Sequence, residues 1–115
     1  MARVPFAFDI NDGLVTVRGT VSLDGDDVVV EASRSALQMV PMGTETFRIP
    51  SDEIEHIDLQ TGLVRAKLML RPFAFSFIEG FPGDPDEELA LPVKRKHRAA
   101  AETLVREVRL RNLPR

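Results

Sequence analysis

With 115 residues and a net charge of −3, the chain suffices for one domain, whose core would bury roughly 65% of the surface exposed when unfolded. Cysteine is absent, which excludes disulfides and thiolate chemistry and leaves nothing pointing to an oxidising compartment. No apolar run approaches the roughly 20 residues of a bilayer span, and Met1-Ala2-Arg3-Val4-Pro5 lacks the apolar stretch of a secretory signal, so cytoplasmic localisation is the expectation.

The charge is unevenly placed. Residues 1–60 hold 4 Lys+Arg and 11 Asp+Glu, a balance of −7; residues 61–115 hold 11 and 7, a balance of +4. Such asymmetry fits either a polarised surface facing a charged partner or an acidic sheet end neutralising a basic helix, within one molecule or across a dimer.

From the N-terminus, Val4, Phe6, Phe8 and Ile10 alternate with Pro5, Ala7 and Asp9, which predicts an arm or edge strand over residues 1–12. Pro5 suits only an edge or a strand start. Asn11-Asp12-Gly13 turns the chain into a strand whose inner face is Val15, Val17, Gly19, Val21 and Leu23. Gly19 on that face leaves room for a bulge or a close backbone approach. Asp24-Gly25-Asp26 is a hairpin signal because Asp-Gly tolerates positive φ, and Val28, Val30 and Ala32 face inward on the return strand.

Residues 34–43 are the least legible. Leu37, Met39 and Val40 fit a short strand or a loop with one helical turn. Thr44 to Ile49 reads as a strand with Phe47 and Ile49 inward and Arg48 outward, broken by Pro50-Ser51-Asp52. Ile54, Ile57 and Leu59 do not share one strict period, which predicts a bulge near Glu55-His56. After Thr61-Gly62 the alternation is regular, with Val64, Ala66, Leu68 and Leu70 on one side and Arg65, Lys67, Met69 and Arg71 on the other.

Phe73, Phe75 and Phe77 at i, i+2 and i+4 predict an aromatic stripe on a strand, read as core packing or as an apolar groove for a ligand or partner. Residues 79–88 have loop chemistry, and Leu89, Leu91 and Val93 form a last strand. From about Lys94 the period becomes helical: His97, Ala101, Leu104, Val105 and Val108 share a face, and Glu102 with Arg106 is a favourable i,i+4 pair.

About seven short antiparallel strands followed by one amphipathic C-terminal helix make a mainly β pattern. It resembles the pleckstrin-homology-like (PH-like) superfamily, including GRAM-like and bacterial PH-like domains. The resemblance rests on Val15-Thr16-Val17-Arg18-Gly19, on Asp24-Gly25-Asp26-Asp27-Val28-Val29-Val30, on Phe47-Arg48-Ile49-Pro50 with Ile54 and Ile57, and on the helix carrying Ala101, Leu104 and Val108. It covers about residues 13 to 110 of a single domain, residues 13–112, through element order and apolar spacing rather than invariant residues. It implies a strongly bent, partly open β-barrel of two near-orthogonal sheets, plugged at one end by the helix. Two departures stand out. The tryptophan of many PH-domain helices is missing. Where phosphoinositide-binding members place Lys and Arg around the first hairpin loop, this chain has Asp24-Gly25-Asp26-Asp27, and like charges oppose phosphate binding there.

No catalytic motif emerges. Ser33, Ser35, Ser51 and Ser76 lack a nucleophile-elbow context, and no phosphate-binding glycine loop is present. His97 reads as a partly buried, hydrogen-bonded ring. In the run from Asp52 to Asp58, Asp52, His56 and Asp58 would share a strand face, opposite Glu53 and Glu55. That spacing matches no metal motif and reads as solvated edge charge. No enzyme activity, metal or cofactor is expected.

The basic run Lys94, Arg95, Lys96 and Arg98, with His97, is the candidate contact for an anion, a lipid or an acidic partner. A solvated helix start, paired with the 84–88 loop, is the alternative. Nucleic acid is disfavoured because no aromatic residue interleaves with the run to stack bases. The expectation is a binding or scaffolding module whose partner is another protein chain, or a second copy joined through the N-terminal edge. An anionic membrane surface, and a small apolar ligand against Phe73, Phe75 and Phe77, are the alternatives.

Overall fold

The computed structural model describes residues 3–37, 40–63, 65–83 and 85–112. Among these, β1 (Arg3–Ile10), β2 (Val15–Asp24), β3 (Asp27–Ala36) and β4 (Val40–Pro50) form an antiparallel meander. A second meander contains β5 (Ile54–Thr61), β6 (Ala66–Pro72) and β7 (Leu89–Val93). One turn of 3₁₀ helix, Arg95–His97, leads into α1 (Arg98–Arg111), which packs on β5, β1 and β2 and so spans both sheets. The sheets, of four and three strands, do not join into a closed barrel.

Alternation explains the first sheet. Val17, Val21, Leu23, Val28, Val30 and Ala32 are buried, with Val21 opposite Val30 and Leu23 opposite Val28. Asp24 pairs with Asp27 around Gly25, whose φ of +63° is the backbone that a two-residue hairpin demands. Gly19 lies on this face, opposite Phe6 of β1 and Ala32 of β3, and admits a close neighbour as its position predicts. β1 is one edge strand of this sheet, and its Val4 and Phe6 belong to the core.

Between the sheets the chain turns at a 3₁₀ segment, Ser51–Glu53. The buried Ser51 donates both its backbone N–H and its Oγ–H to the carbonyl of Asp26, tying this joint to the first hairpin. The register of β5 slips between Ile54 and His56, the bulge expected there. Ile57 then faces Leu70 and Leu59 faces Leu68.

Several expectations need correcting. Phe73 to Phe77 is not a strand: Phe75–Phe77 is a 3₁₀ turn, closed by the Phe77 N–H to Ala74 and the Ile78 N–H to Phe75. Three residues per turn send positions i, i+2 and i+4 in different directions. Phe73 and Phe75 are therefore 63% and 46% exposed, and only Phe77 packs on the core. The aromatic core forms instead around Phe81, with ring centroids 6.3 Å from Phe6, 6.3 Å from Phe8 and 5.3 Å from Phe47. Within residues 34–43, Arg34–Ala36 end β3 and pair with the start of β4 at Val40, and Leu37 takes a φ of +52°. The expectations for Met39 and Val64 lie outside the described residues.

The helix starts at Arg98 rather than Lys94, the basic run filling the 3₁₀ turn before it. Ala101, Leu104, Val105 and Val108, spaced i, i+3, i+4 and i+7, are all buried.

Candidate functional site

β5 is an edge strand of the second sheet, and α1 runs beside it. Between them lies a cleft of about 600 Å³, with Val105 among its walls, Leu59 and Thr61 on the strand side, and Arg98, Arg106 and Leu110 on the helix side. Leu110 is 60% exposed and off the buried stripe of the helix. Leu59, partly buried, joins the core from the strand.

The helix closes only part of this edge. Asn112 Nδ2 donates to the carbonyl of Ile54 at 2.8 Å, and Arg109 donates through Nε and a terminal nitrogen to the carbonyl of Ile57 at 3.2 and 3.0 Å. The same terminal nitrogen reaches Asp58 Oδ1 at 3.1 Å. The carbonyl of Ile57 thus points away from β6. In an antiparallel ladder the side to which peptide groups point alternates residue by residue, so the peptide groups of Leu59 and Thr61 turn to the same open side. Side chains of α1 and its cap occupy the first half of the edge, and the second half borders the cleft.

The acidic hairpin is met by cations distant in sequence. Arg48 of β4, opposite Val29 of β3, donates to Asp24 and, at 3.2 Å, to Asp27. The hydrogen bond to Asp24 is the main cause that raises the Arg48 pKa above its usual value. Arg111, at the end of α1, donates to the carbonyl of Gly25 at 3.2 Å and lies 3.5 Å from Asp26. Together with Arg109 and Asp58, these contacts show acidic sheet end and basic helix pairing within one molecule.

The basic run behaves differently. Lys94, Arg95 and Lys96 are exposed and, among the described residues, make no ion pair. Glu87 and Glu88, proposed partners from the 84–88 loop, approach Arg71 instead, each at 3.9 Å. Arg98 pairs with Glu102 at 3.2 Å. Lys94, Arg95, Lys96 and His97 line a second groove, of about 500 Å³, where β1 passes β7, with Pro5, Phe6 and Arg65 in its other walls. His97 is half-buried there.

Asp52, His56 and Asp58 do not share a strand face, because Asp52 sits in the 3₁₀ turn before β5. Asp58 is engaged by Arg109. Among the described residues no three His, Asp or Glu side chains converge as metal ligands would.

Sequence reasoning missed Leu59, Thr61 and Leu110 as neighbours, and also Leu63, fully exposed in the turn between β5 and β6. One signal was present: Leu110 is a large apolar residue off the helix's apolar stripe.

Comparison of the chain with protein-family models, with curated proteins and with solved structures gave no match. Among the described residues no helix is long and apolar enough to cross a membrane.

Proposed function

We propose that this chain is a PH-like, non-catalytic binding or scaffolding module of the cytoplasm. Its partner is another protein chain, received as an extended segment beside β5 in the cleft against α1. Four strands, then three, then a helix packed across both sheets support the PH-like part of this reading. The docking part is carried by one observation: Arg109 and Asn112 cover the β5 edge at Ile54 and Ile57, whereas the edge at Leu59 and Thr61 borders a cleft. An incoming strand would gain main-chain hydrogen bonds there, with register set by apolar contact to Leu59 and Leu110.

The test is affinity capture from the native host with the wild-type chain and with Leu110→Glu, whose position is exposed. A protein retained by the wild type and lost by the variant, cross-linking next to Leu59–Thr61, is the expected result. Equal capture by both chains, or no captured protein, overturns the reading. If the captured chain is a second copy, sedimentation will show a dimer that Leu110→Glu converts to a monomer.

A further inference from the structure

Cations at the two ends of α1 meet different surroundings. At its C-terminal end Arg109 and Arg111 are held by acceptors of their own chain. At its N-terminal end, Lys94, Arg95, Lys96 and Arg65 are exposed and make no ion pair among the described residues. The pairing of Ala66 with Val93 sets Arg65 alongside Lys94, although the two are far apart in sequence.

Leu63 stands at the same end. Its exposure is 100%, and it shares a shallow depression with Arg65, Arg95 and Arg98. Arg65 and Arg95 also line the groove that holds Lys94 and Lys96, so the two surfaces are continuous. Among the described residues two carboxylates border this region. Asp9 accepts a hydrogen bond from Thr16 at 3.0 Å, and Glu102 is paired with Arg98. The opposite pole, one 14-residue helix away, or about 21 Å at 1.5 Å per residue, carries the exposed Asp24 and Asp26.

We propose that the Leu63 pole docks on the surface of an anionic lipid bilayer. Leu63 enters the boundary between headgroups and acyl chains, and Arg65, Lys94, Arg95 and Lys96 lie among the headgroups. A single exposed leucine carries no meaning by itself; the surrounding cations give this one its meaning. Cations draw the surface to anionic lipid, and an apolar side chain projecting from their midst finds its medium just beneath the charge. An acidic protein segment would satisfy the cations and leave Leu63 in water. The opposite pole offers the membrane no comparable attraction, because its Arg48 and Arg111 are already paired with Asp24, Asp26 and Asp27. This surface is distinct from the cleft between β5 and α1 except for Thr61 and Arg98, which border both and are left unchanged in the test.

The experiment is vesicle co-sedimentation with phosphatidylcholine alone and with about 30% phosphatidylserine, across a salt series from about 0.05 to 0.5 M. Binding to the anionic vesicles at low salt, at least tenfold above that to neutral ones and fading with salt, is expected. The double variant Lys94→Glu/Lys96→Glu should abolish it, and Leu63→Ser should weaken it severalfold at every salt concentration. Both change exposed residues, and an unchanged circular dichroism spectrum establishes that the fold is retained. Absence of binding to anionic vesicles at low salt overturns the proposal. So does binding that Leu63→Ser leaves unchanged, or equal affinity for soluble poly-glutamate, which would mark the pole as a site for acidic protein.

Discussion

A Cβ atom placed on Gly19 would fall 1.8 Å from the carbonyl oxygen of Glu31 and 2.7 Å from Cζ of Phe6. The nearer neighbour is backbone of the adjacent strand and cannot rotate away. Gly19→Ala should therefore lower stability by about 3 kcal/mol or more, at the upper end of overpacking costs. Urea unfolding measures it, and an unchanged midpoint would mean that β2 and β3 separate locally at little cost.

Phe81 and Phe73 should respond oppositely to truncation. Phe81 is 3% exposed and meets three aromatic rings, whereas Phe73 is 63% exposed. Phe81→Ala should cost about 3–5 kcal/mol, and Phe73→Ser should stay within about 0.5 kcal/mol of wild type. Thermal or urea unfolding of the pair checks this. Equal losses would restore the aromatic stripe as core.

Arg109 tests which of its contacts matters. Its pair with Asp58 joins half-exposed side chains, and exposed ion pairs contribute about 0–1 kcal/mol. The two hydrogen bonds to the Ile57 carbonyl are charge-assisted and part-buried, worth about 1.5–3 kcal/mol as a class. Asp58→Asn should thus cost less than about 1 kcal/mol and Arg109→Ala more. Arg109→Lys should rescue little, because one ammonium cannot reproduce the fork. Denaturant midpoints that rank Asp58→Asn as the costlier change would show the ion pair to be dominant.

On α1, Leu104 and Leu110 separate folding from recognition. Leu104 has no exposed surface, so Leu104→Ala should cost about 2–5 kcal/mol. Leu110→Glu should change stability by less than about 0.5 kcal/mol. A large loss in Leu110→Glu, seen by calorimetry, would disqualify it as a probe of the cleft.

How far the chain could be read from its letters varied by element for physical reasons. β2, β3, β6 and β7 bury one face and leave most of the other open, apart from Thr16 and Val29, so alternation announced them. The helix followed because Ala101, Leu104, Val105 and Val108 keep one stripe. The start of β4 was hidden because Val40 to Thr44 is exposed throughout, leaving no alternation to read. The end of β3 before it was hidden because Leu37 takes a left-handed conformation that usually calls for Gly or Asn. Phe81 sits in the 79–88 stretch, which has the chemistry of a loop, yet it is core.

For the candidate sites, the basic run was visible as a cluster, but its meeting with Leu63 depends on the register of Ala66 with Val93. Asp24 to Asp27 was visible as an acidic loop. That Arg48 and Arg111 reach it, from up to 86 residues away along the chain, is a product of the fold alone.

The contact of Arg111 with Gly25 also bears on how the molecule is made. Val4 and Phe6 leave the ribosome before β7 and α1, which pack against β1 and come from residues 89–111. Until translation has delivered those residues, the nascent first sheet lacks part of its apolar cover and is open to self-association. A premature stop before Arg98 should therefore produce a chain that depends on chaperones and accumulates in inclusion bodies.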